Sequence, residues 1–316
     1  MTQSAAMASP AVEQPAHACW ACGAADFEPY KPRSIERALV PDDLRISDAN
    51  YGCTLGLRKC VRCGFIFAEP ADLGGLFALY EALDDPGYEA SQESRALQMD
   101  WLLDVAQREH AGIRTALDVG AASGLLVSLA RKRGWDAQGI EPSLKLVQVA
   151  AQTHGLKLIQ GSVPHAALEG RRFDCVFLVD VIEHVADPLK LLKDSAQLLA
   201  PDGILVVVTP DVSSVARKLL GKRWWHFRLA HVGYFDRSSF AKLCSRVGLQ
   251  VSAQVRAKWF FRVSYLAERL TRYLPVHPIL RLLDRSQPGR RVANLVVPLN
   301  LYDSWVFICR KTHGEQ

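Results

Sequence analysis

Short apolar runs alternate with amphipathic stretches along residues 115–209 of this chain. Short segments rich in apolar residues predict strands at 115–119, 135–140, 156–160, 173–179 and 204–209, and 173–179 is nearly all apolar, as a strand covered on both faces should be. Between them, apolar positions that recur at helical spacing predict helices at 124–132, 144–154 and 188–199. This alternation is typical of an α/β fold, in which a parallel sheet carries helices on both faces.

The regions on either side carry weaker patterns. Residues 73–110 show helical spacing that is broken at the sequence Asp-Asp-Pro-Gly, 84–87. The elements predicted after residue 210 are a helix at 238–247, capped by Asp236 or Ser238, and strands at 249–255 and 304–309. The segment 262–298 is basic and punctuated by proline, and it is interpreted either as a lid over the substrate or as a docking helix.

Composition is that of a globular protein, because 49% of the 316 residues are hydrophobic and 22% are charged. No apolar run reaches the roughly 18 residues that a membrane-spanning helix needs. Residues 1–17 are rich in alanine, serine and proline and lack the features of a secretory signal, so we predict a disordered tail and a cytoplasmic protein. The net charge of +5 permits contact with RNA or a membrane surface but favours neither.

Four of the eight cysteines form two Cys-x-x-Cys-Gly pairs, Cys19 with Cys22 and Cys60 with Cys63. Without an export signal this spacing favours metal over disulfides, because each pair can bring two sulfur atoms to one ion. We predict a small zinc-ribbon-like module with a structural Zn²⁺, since four thiolates leave no coordination position for chemistry. Reduced thiols without a metal are the alternative. Cys53 would be a fifth thiol, and we expect it to be a small buried residue.

A glycine loop follows the first strand predicted in the α/β region. Gly120 and Gly124 allow a sharp turn and a close approach of a ligand to the backbone. Asp118 precedes the first glycine by two residues, and Glu141 ends the next strand, where it can accept hydrogen bonds from two ribose hydroxyls. A dinucleotide would need the spacing Gly-x-Gly-x-x-Gly, and Asp118 would repel its pyrophosphate. The cationic amino-acid end of S-adenosylmethionine would be attracted instead, so the loop favours that cofactor.

Three features in this order resemble class I S-adenosylmethionine-dependent methyltransferases: the loop 117–124, Glu141, and the sequence Val-Asp-Val-Ile-Glu-His-Val at 179–185. A glycine pair alone is often only a turn, so the resemblance depends on the combination. It covers roughly residues 97–311 and implies a Rossmann-like methyltransferase sheet. The cofactor contacts that it implies are Asp118, Gly120, Ala122, Gly124, Glu141, Ser162 and Asp180. Ala122 replaces a second glycine that is common in the family.

The resemblance also implies a role for individual residues. Asp118 and Gly120 would face the amino and carboxyl groups of the methionine part, and Glu141 would hold the ribose. Asp180 would lie near the transferred methyl group. Ser162 departs from the family pattern, because an acidic residue that contacts adenine is frequent at this position.

Methyl transfer is an in-line displacement, and it needs a base only when the acceptor is an alcohol or an acidic carbon. The candidates for that base are Glu183, His184 and His231. Each also has a structural interpretation: Glu183 as a carboxylate bonded to nearby amides, His184 as packing under the cofactor loop, and His231 as part of loop closure. The aromatic run 224–227 predicts either a wall of the acceptor pocket or ordinary core.

The predicted parts are a tail at 1–17, the zinc-ribbon-like module at 18–70, a helical linker or lid at 71–110 and the methyltransferase domain at 111–316. The leading hypothesis is methyl transfer to an oxygen, nitrogen or carbon atom of a small-molecule or glycan-linked acceptor. The alternative acceptor is RNA, bound by the zinc module and the basic stretches 217–228 and 281–291. A non-catalytic binding protein is the third hypothesis, which intact Asp118, Gly120 and Glu141 oppose. The oligomeric state is left open.

Overall fold

The computed structural model describes residues 18–45, 51–85, 92–270 and 287–312. The tail predicted at 1–17 lies outside these residues, and so does the central part of the basic segment 262–298. Within the described ranges, none of the helices combines the length and the hydropathy of a membrane span.

The strands are β1 (Phe27–Lys31), β2 (Leu57–Cys60), β3 (Ile66–Ala68), β4 (Thr115–Val119), β5 (Asp136–Glu141), β6 (Ile159–Gln160), β7 (Phe173–Val179), β8 (Leu199–Pro210), β9 (Gly233–Tyr234), β10 (Leu249–Arg256), β11 (Trp259–Arg262), β12 (Val296–Leu299) and β13 (Ser304–Lys311). The helices are α1 (Leu76–Glu81), α2 (Gln92–Glu109), α3 (Leu125–Lys132), α4 (Leu144–His154), α5 (Pro188–Gln197), α6 (Val215–Leu220), α7 (Arg237–Ser245), α8 (Val263–Leu270) and α9 (Gln287–Ala293).

Most predicted elements of the α/β region are present with bounds shifted by a few residues. Strands β4 and β7 and helix α4 have the predicted bounds. Helix α5 ends before the predicted 199 because Leu199 already pairs with Phe173 as the first residue of β8. Helix α7 begins after Asp236, whose side chain accepts a hydrogen bond from the Ser239 amide, so Asp236 is the N-cap.

The central sheet has seven strands in the order β10-β13-β8-β7-β4-β5-β6. All of these strands run in one direction except β13, which is antiparallel to both β8 and β10. The alternating pattern predicted a parallel sheet, and the antiparallel strand has a simple cause. After β10 the chain forms β11, which pairs with β12. It then returns to the sheet from the end at which β10 finished, so β13 runs in the opposite direction between β10 and β8.

Apolar side chains alternate between the two faces of this sheet. In β7, Val176 and Leu178 belong to a hydrophobic cluster that also contains residues of α5 and α7. Cys175 and Phe177 belong to a second cluster, which contains residues of α2, α3 and α4. Both faces are therefore covered, which explains why β7 is apolar along its length. The predicted α/β sheet with helices on both faces is confirmed.

A second sheet joins the cysteine-bearing segment to the rest of the chain. Its strand order is β1-β2-β3-β9, so three strands come from residues 27–68 and the fourth comes from 233–234. Ile66 pairs with Tyr234, and Phe67 pairs with Gly233. Trp20, Phe67 and Phe235 lie in the same hydrophobic cluster as the central sheet. The N-terminal sheet therefore shares its core with the α/β region.

Candidate active site

The glycine loop lies at the edge where the parallel strands end, which we call the carboxyl edge. Gly120, Ala122 and Gly124 all have positive φ, at +78°, +47° and +78°. A Cβ atom at Gly120 would lie 2.6 Å from Cγ2 of Val181, and one at Gly124 would lie 2.8 Å from Cδ1 of Leu156. Glycine is thus required at both positions, by backbone conformation and by space.

Glu141 fastens this loop to the end of β5. Its carboxylate accepts hydrogen bonds from the backbone amides of Ala122 (2.8 Å) and Ser143 (2.9 Å). Burial raises the pKa of Glu141, and these two amide bonds oppose the rise. Each carboxylate oxygen has two lone pairs, so each can accept one further hydrogen bond. Glu141 can therefore hold the loop and a pair of ligand hydroxyls at the same time.

Asp118 lies one strand away in β4, opposite Gly139 of β5. Only 5% of the residue is exposed. Burial, followed by the negative charge of Glu141, raises the pKa of Asp118 to about 7, while the charge of Arg95 on α2 opposes this rise. The ionised form of a buried carboxyl group in this position would be stabilised by a cation bound beside it.

Asp180 follows β7 directly, with a left-handed φ of +53°. Its amide donates a hydrogen bond to the carbonyl of Val208 in β8, and burial raises its pKa to about 6. Ser162 lies in the exposed loop after β6, where the neighbouring Gly161 amide donates to the Glu141 carbonyl. The structure therefore brings Asp118, the loop, Glu141 and Asp180 to one edge, with Ser162 at its rim.

The candidate bases form a compact cluster: ligand atoms of Glu183, His184 and His231 lie within 4.8 Å of one another. Nδ1 of His184 is 2.8 Å from the Tyr80 hydroxyl and donates to the Ala230 carbonyl (2.9 Å). Burial lowers the pKa of His184 to about 4 and that of His231 well below its ordinary value. Burial raises the pKa of Glu183 well above the ordinary range. Burial therefore favours the uncharged form of all three side chains.

A neighbouring group of hydrogen-bonded side chains has no counterpart in the sequence motifs. Oδ2 of Asp303 accepts hydrogen bonds from Nε1 of Trp225 (2.8 Å) and from Nε2 of His226 (3.1 Å). The aromatic run 224–227 is visible in the sequence as a candidate pocket wall, but Asp303 is 77 residues from His226 and belongs to no motif. Only the fold brings the two together.

The two cysteine pairs meet in the N-terminal sheet. Sγ of Cys19 is 3.5 Å from Sγ of Cys63, and Sγ of Cys22 is 3.6 Å from Sγ of Cys60. A tetrahedral zinc ion with Zn–S bonds of about 2.3 Å separates its sulfur ligands by about 3.8 Å, so the four thiols fit such an ion. A nearby cation, Arg246, donates hydrogen bonds to the carbonyls of Cys19 and Trp20 and fastens the first pair to α7.

The fold and the glycine loop at the carboxyl edge are those of a methyltransferase domain of the class I, S-adenosylmethionine-dependent type. A family model described as a methyltransferase domain matches residues 88–254, which is more than half of the chain. The chain belongs to this family, and the predicted resemblance is confirmed.

Curated relatives match a shorter part. Ubiquinone biosynthesis O-methyltransferase of Azorhizobium caulinodans is 34% identical over 116 residues, covering 34% of this chain and 46% of the relative. The protein of that name from Cereibacter sphaeroides is 34% identical over 115 residues, covering 34% of this chain and 47% of the relative. The chain thus spans about half the length of these relatives. The solved structure of an O-methyltransferase family protein from Burkholderia thailandensis is 16% identical, covers 72% of this chain and 60% of that chain, and has a TM-score of 0.45.

Proposed function

We propose that this chain binds S-adenosylmethionine at the carboxyl edge of β4, β5 and β7 and transfers its methyl group to a small-molecule or saccharide-linked acceptor. The observation that carries the proposal is the braced glycine loop between Asp118 and Glu141. The left-handed backbone of Gly120 lets the loop turn at this edge, and Glu141 holds the loop through the Ala122 amide (2.8 Å). The buried carboxylates would then receive the cationic and hydroxyl groups of the cofactor.

The residue roles follow from chemistry and position. Asp118, partly protonated without ligand, would ionise against the ammonium of the methionine part. Glu141 would accept hydrogen bonds from the ribose hydroxyls with its remaining lone pairs. Gly120 would present backbone to the methionine carboxylate, Asp180 would lie beside the reacting methyl group, and Ser162 would border the adenine.

When bound, the cofactor supplies an electrophilic methyl group and a neutral thioether leaving group. The protein therefore has three tasks: it binds the two reactants in line, orients the acceptor atom and excludes water. The carboxyl edge suits the first task because separate strands bring Asp118, Glu141 and Asp180 together. Chain 221–235, which lies next to this edge, would orient the acceptor.

The acceptor proposed here is small rather than RNA. The basic stretch 217–228, which would bind phosphates in the RNA hypothesis, uses some of its charges internally. Arg217 donates to the Tyr30 hydroxyl, and Arg228 donates to the Arg45 carbonyl (2.7 Å). The relatives named above are O-methyltransferases of ubiquinone biosynthesis, which supports an oxygen acceptor on a small molecule.

Zinc would have a structural role in this protein. The four thiols of Cys19, Cys22, Cys60 and Cys63 complete a tetrahedral set, and a closed set leaves no position for a substrate. We infer that the ion joins the turn before β1 to the turn after β2 and thereby fixes the N-terminal sheet. Its content in the purified chain can be measured directly by mass spectrometry.

Isothermal calorimetry with S-adenosylmethionine tests the proposal on the full chain. We expect micromolar binding, and we expect Glu141→Gln to weaken it on the order of 100-fold, because two or more hydrogen bonds to a charged group are lost. Glu169→Gln is the matched control, since Glu169 is an exposed carboxylate far from the loop. No binding heat at high protein concentration would overturn the proposal. Methyl transfer from labelled cofactor to any acceptor would exclude the non-catalytic hypothesis.

A further inference from the structure

Three strand ends place Asp303, and with it His226, at the carboxyl edge that also carries Asp180. Asp180 follows β7, Asp211 follows β8, and Asp303 precedes the antiparallel strand β13, so all three lie at the carboxyl edge. The Asp211 amide donates to the Asp303 carbonyl (2.7 Å). The Asp180 amide donates to the Val208 carbonyl (3.0 Å) of β8, the strand that Asp211 follows, so Asp180 and Asp303 lie at the ends of neighbouring strands.

The hydrogen bond between His226 and Asp303 determines the histidine tautomer. Hydrogen bonds from His226 and Trp225 outweigh the opposing effect of burial and lower the pKa of Asp303, so its carboxylate is ionised and can only accept. The proton of neutral His226 therefore resides on Nε2, 3.1 Å from Oδ2 of Asp303. Nδ1 carries a lone pair, and it makes no hydrogen bond within the described part of the chain.

Neighbouring aromatic side chains hold the His226 ring in place. The ring stacks on His231 with an interplanar angle of 18°, and Trp224 packs against it edge-on. Oδ1 of Asp303 is buried and has no hydrogen-bond partner among the described residues. This packing of the ring fixes the orientation in which Nε2 of His226 lies against Asp303.

The other candidates are poorly arranged to take up a proton. His184 uses Nδ1 for the Ala230 carbonyl, and burial disfavours its charged form. His231 is only 6% exposed, and Glu183 is 1% exposed, where burial raises its pKa and favours its neutral form. By contrast, the His226 side chain is 17% exposed and has a carboxylate partner. The three predicted residues form a buried cluster, and His226 packs against it through His231.

We propose that His226, oriented by Asp303, is the general base for a hydroxyl acceptor. This inference rests on the proposed methyl transfer and narrows its acceptor to an alcohol or phenol. The acceptor O–H gives its proton to Nδ1 of His226 while the oxygen lone pair forms the bond to the methyl carbon. The carbon–sulfur bond breaks, and its electron pair stays on sulfur as a neutral thioether. The imidazolium then releases its proton to solvent once the ether product has left.

The experiment uses the full zinc-loaded chain, methyl-labelled S-adenosylmethionine and the small-molecule fraction of a bacterial extract. Mass spectrometry of the labelled product identifies an ether, an amine or a carbon-methylated compound. We expect an ether, formed with a kcat that falls about 10²- to 10⁴-fold in His226→Gln. The calorimetric Kd for the cofactor should stay within about twofold of the wild type, because His226 acts on the acceptor.

Two further variants separate catalysis from structure. His110→Gln is the matched control, because His110 follows α2 at the opposite edge of the sheet, and it should keep the wild-type kcat. Asp303→Asn tests the positioning role: ¹⁵N NMR should show the Nε2–H tautomer of His226 in the wild type and a tautomer mixture in the variant. A merely structural aspartate would leave the tautomer unchanged.

The outcomes distinguish a failure of the proposed methyl transfer from a failure of the role proposed for His226. No labelled product from the wild-type chain would overturn the proposed methyl transfer and this inference with it. A methylated amine or carbon, or an ether formed by His226→Gln at the wild-type rate, would overturn only the inference. An unchanged His226 tautomer in Asp303→Asn would remove Asp303 from the mechanism.

Discussion

The two sides of the proposed active site are built in different ways. The cofactor side, formed by Asp118, the loop 120–124 and Glu141, depends on contacts that are close along the chain. Glu141 bonds to amides that are 19 and 2 residues away. The acceptor side, formed by residues 221–235 and Asp303, depends on distant contacts. His226 and Asp303 are 77 residues apart, and Tyr80 and His184 are 104 residues apart.

The two sides also differ in how they are connected to the N-terminal sheet. The acceptor side is tied to the N-terminal sheet by a relay of backbone hydrogen bonds. The Ala68 amide donates to the Val232 carbonyl (2.8 Å), and the Val232 amide donates to the Glu183 carbonyl (2.7 Å). The cofactor loop has no such tie among the described residues, because its hydrogen bonds go to β5. A change in the cysteine module should therefore reach the acceptor side first.

Loss of zinc should give the largest effect and tests this separation most severely. In small zinc-binding domains the binding free energy, about 10–16 kcal/mol, is folding free energy. Cys60→Ser, or treatment with a chelator, should release the N-terminal sheet and lower methyl transfer more than about 100-fold. Binding of S-adenosylmethionine should weaken less than about threefold. Metal content, labelled-methyl transfer and calorimetry on one sample measure all three quantities.

The matched control for zinc loss is Cys53→Ser. Cys53 is a half-buried thiol in the same segment, and it is outside the four-cysteine cluster. This variant should keep its zinc and its transfer rate. Equal losses of cofactor binding and of methyl transfer after zinc removal would contradict the proposed separation of the two sides.

Gly120→Ala should produce the next largest effect, on the cofactor side alone. The new Cβ would lie 2.6 Å from Cγ2 of Val181 at a φ of +78°. Backbone strain and overpacking together should lower the free energy of unfolding by about 2–5 kcal/mol, as measured by urea denaturation. Zinc content should be unchanged.

Gly134→Ala isolates the backbone part of that effect. Gly134 has a φ of +84°, and no described atom lies within 4 Å of the position that a Cβ would occupy there. This variant should lose only about 1–2 kcal/mol. The double variant Gly120→Ala with Val181→Ala should recover the steric part of the loss. Equal costs for Gly120→Ala and Gly134→Ala would show that the contact with Val181 is unimportant.

The cofactor side could be predicted from the sequence because its contacts are local. A buried strand, a glycine loop and a second strand ending in Glu141 follow one another, and parallel strands bring their ends to one edge. Strands β4 and β7 therefore have the predicted bounds, and Asp118, Gly120, Glu141 and Asp180 meet as expected. Their roles in binding stay predictions. The bonds from Glu141 to the Ala122 and Ser143 amides were not expected, since a motif does not specify how a loop is braced.

The acceptor side could not be predicted because its contacts join distant parts of the chain. No repeat or motif spacing in the sequence indicates that β9 pairs with β3 or that His226 bonds to Asp303. The antiparallel direction of β13 likewise depends on where the chain re-enters the sheet. Residues 224–227 were noticed for their aromatic character, but the partner that distinguishes His226 is visible only in the fold.

The smallest predicted effect is a pH dependence of cofactor binding that originates on the cofactor side. Burial and the charge of Glu141 raise the pKa of Asp118 to about 7 in the cofactor-free protein. Below this pH the carboxyl group is protonated and attracts the cofactor's ammonium weakly; above it the carboxylate is charged. Affinity should therefore rise about tenfold between about pH 5.5 and about pH 7, with release of up to one proton on binding.

The same shift has the opposite sign for stability. Because the folded protein binds this proton more tightly than the unfolded chain does, the free energy of unfolding without cofactor should fall as pH rises from about 4 to about 7. Asp118→Asn should flatten both profiles, whereas Asp136→Asn, at the exposed start of β5, should keep them. Calorimetry in two buffers of different ionisation enthalpy measures the released proton. A pH profile of Asp118→Asn identical to that of the wild type would show that the cofactor's ammonium does not lie against this carboxylate. The orientation proposed for the cofactor would then be wrong.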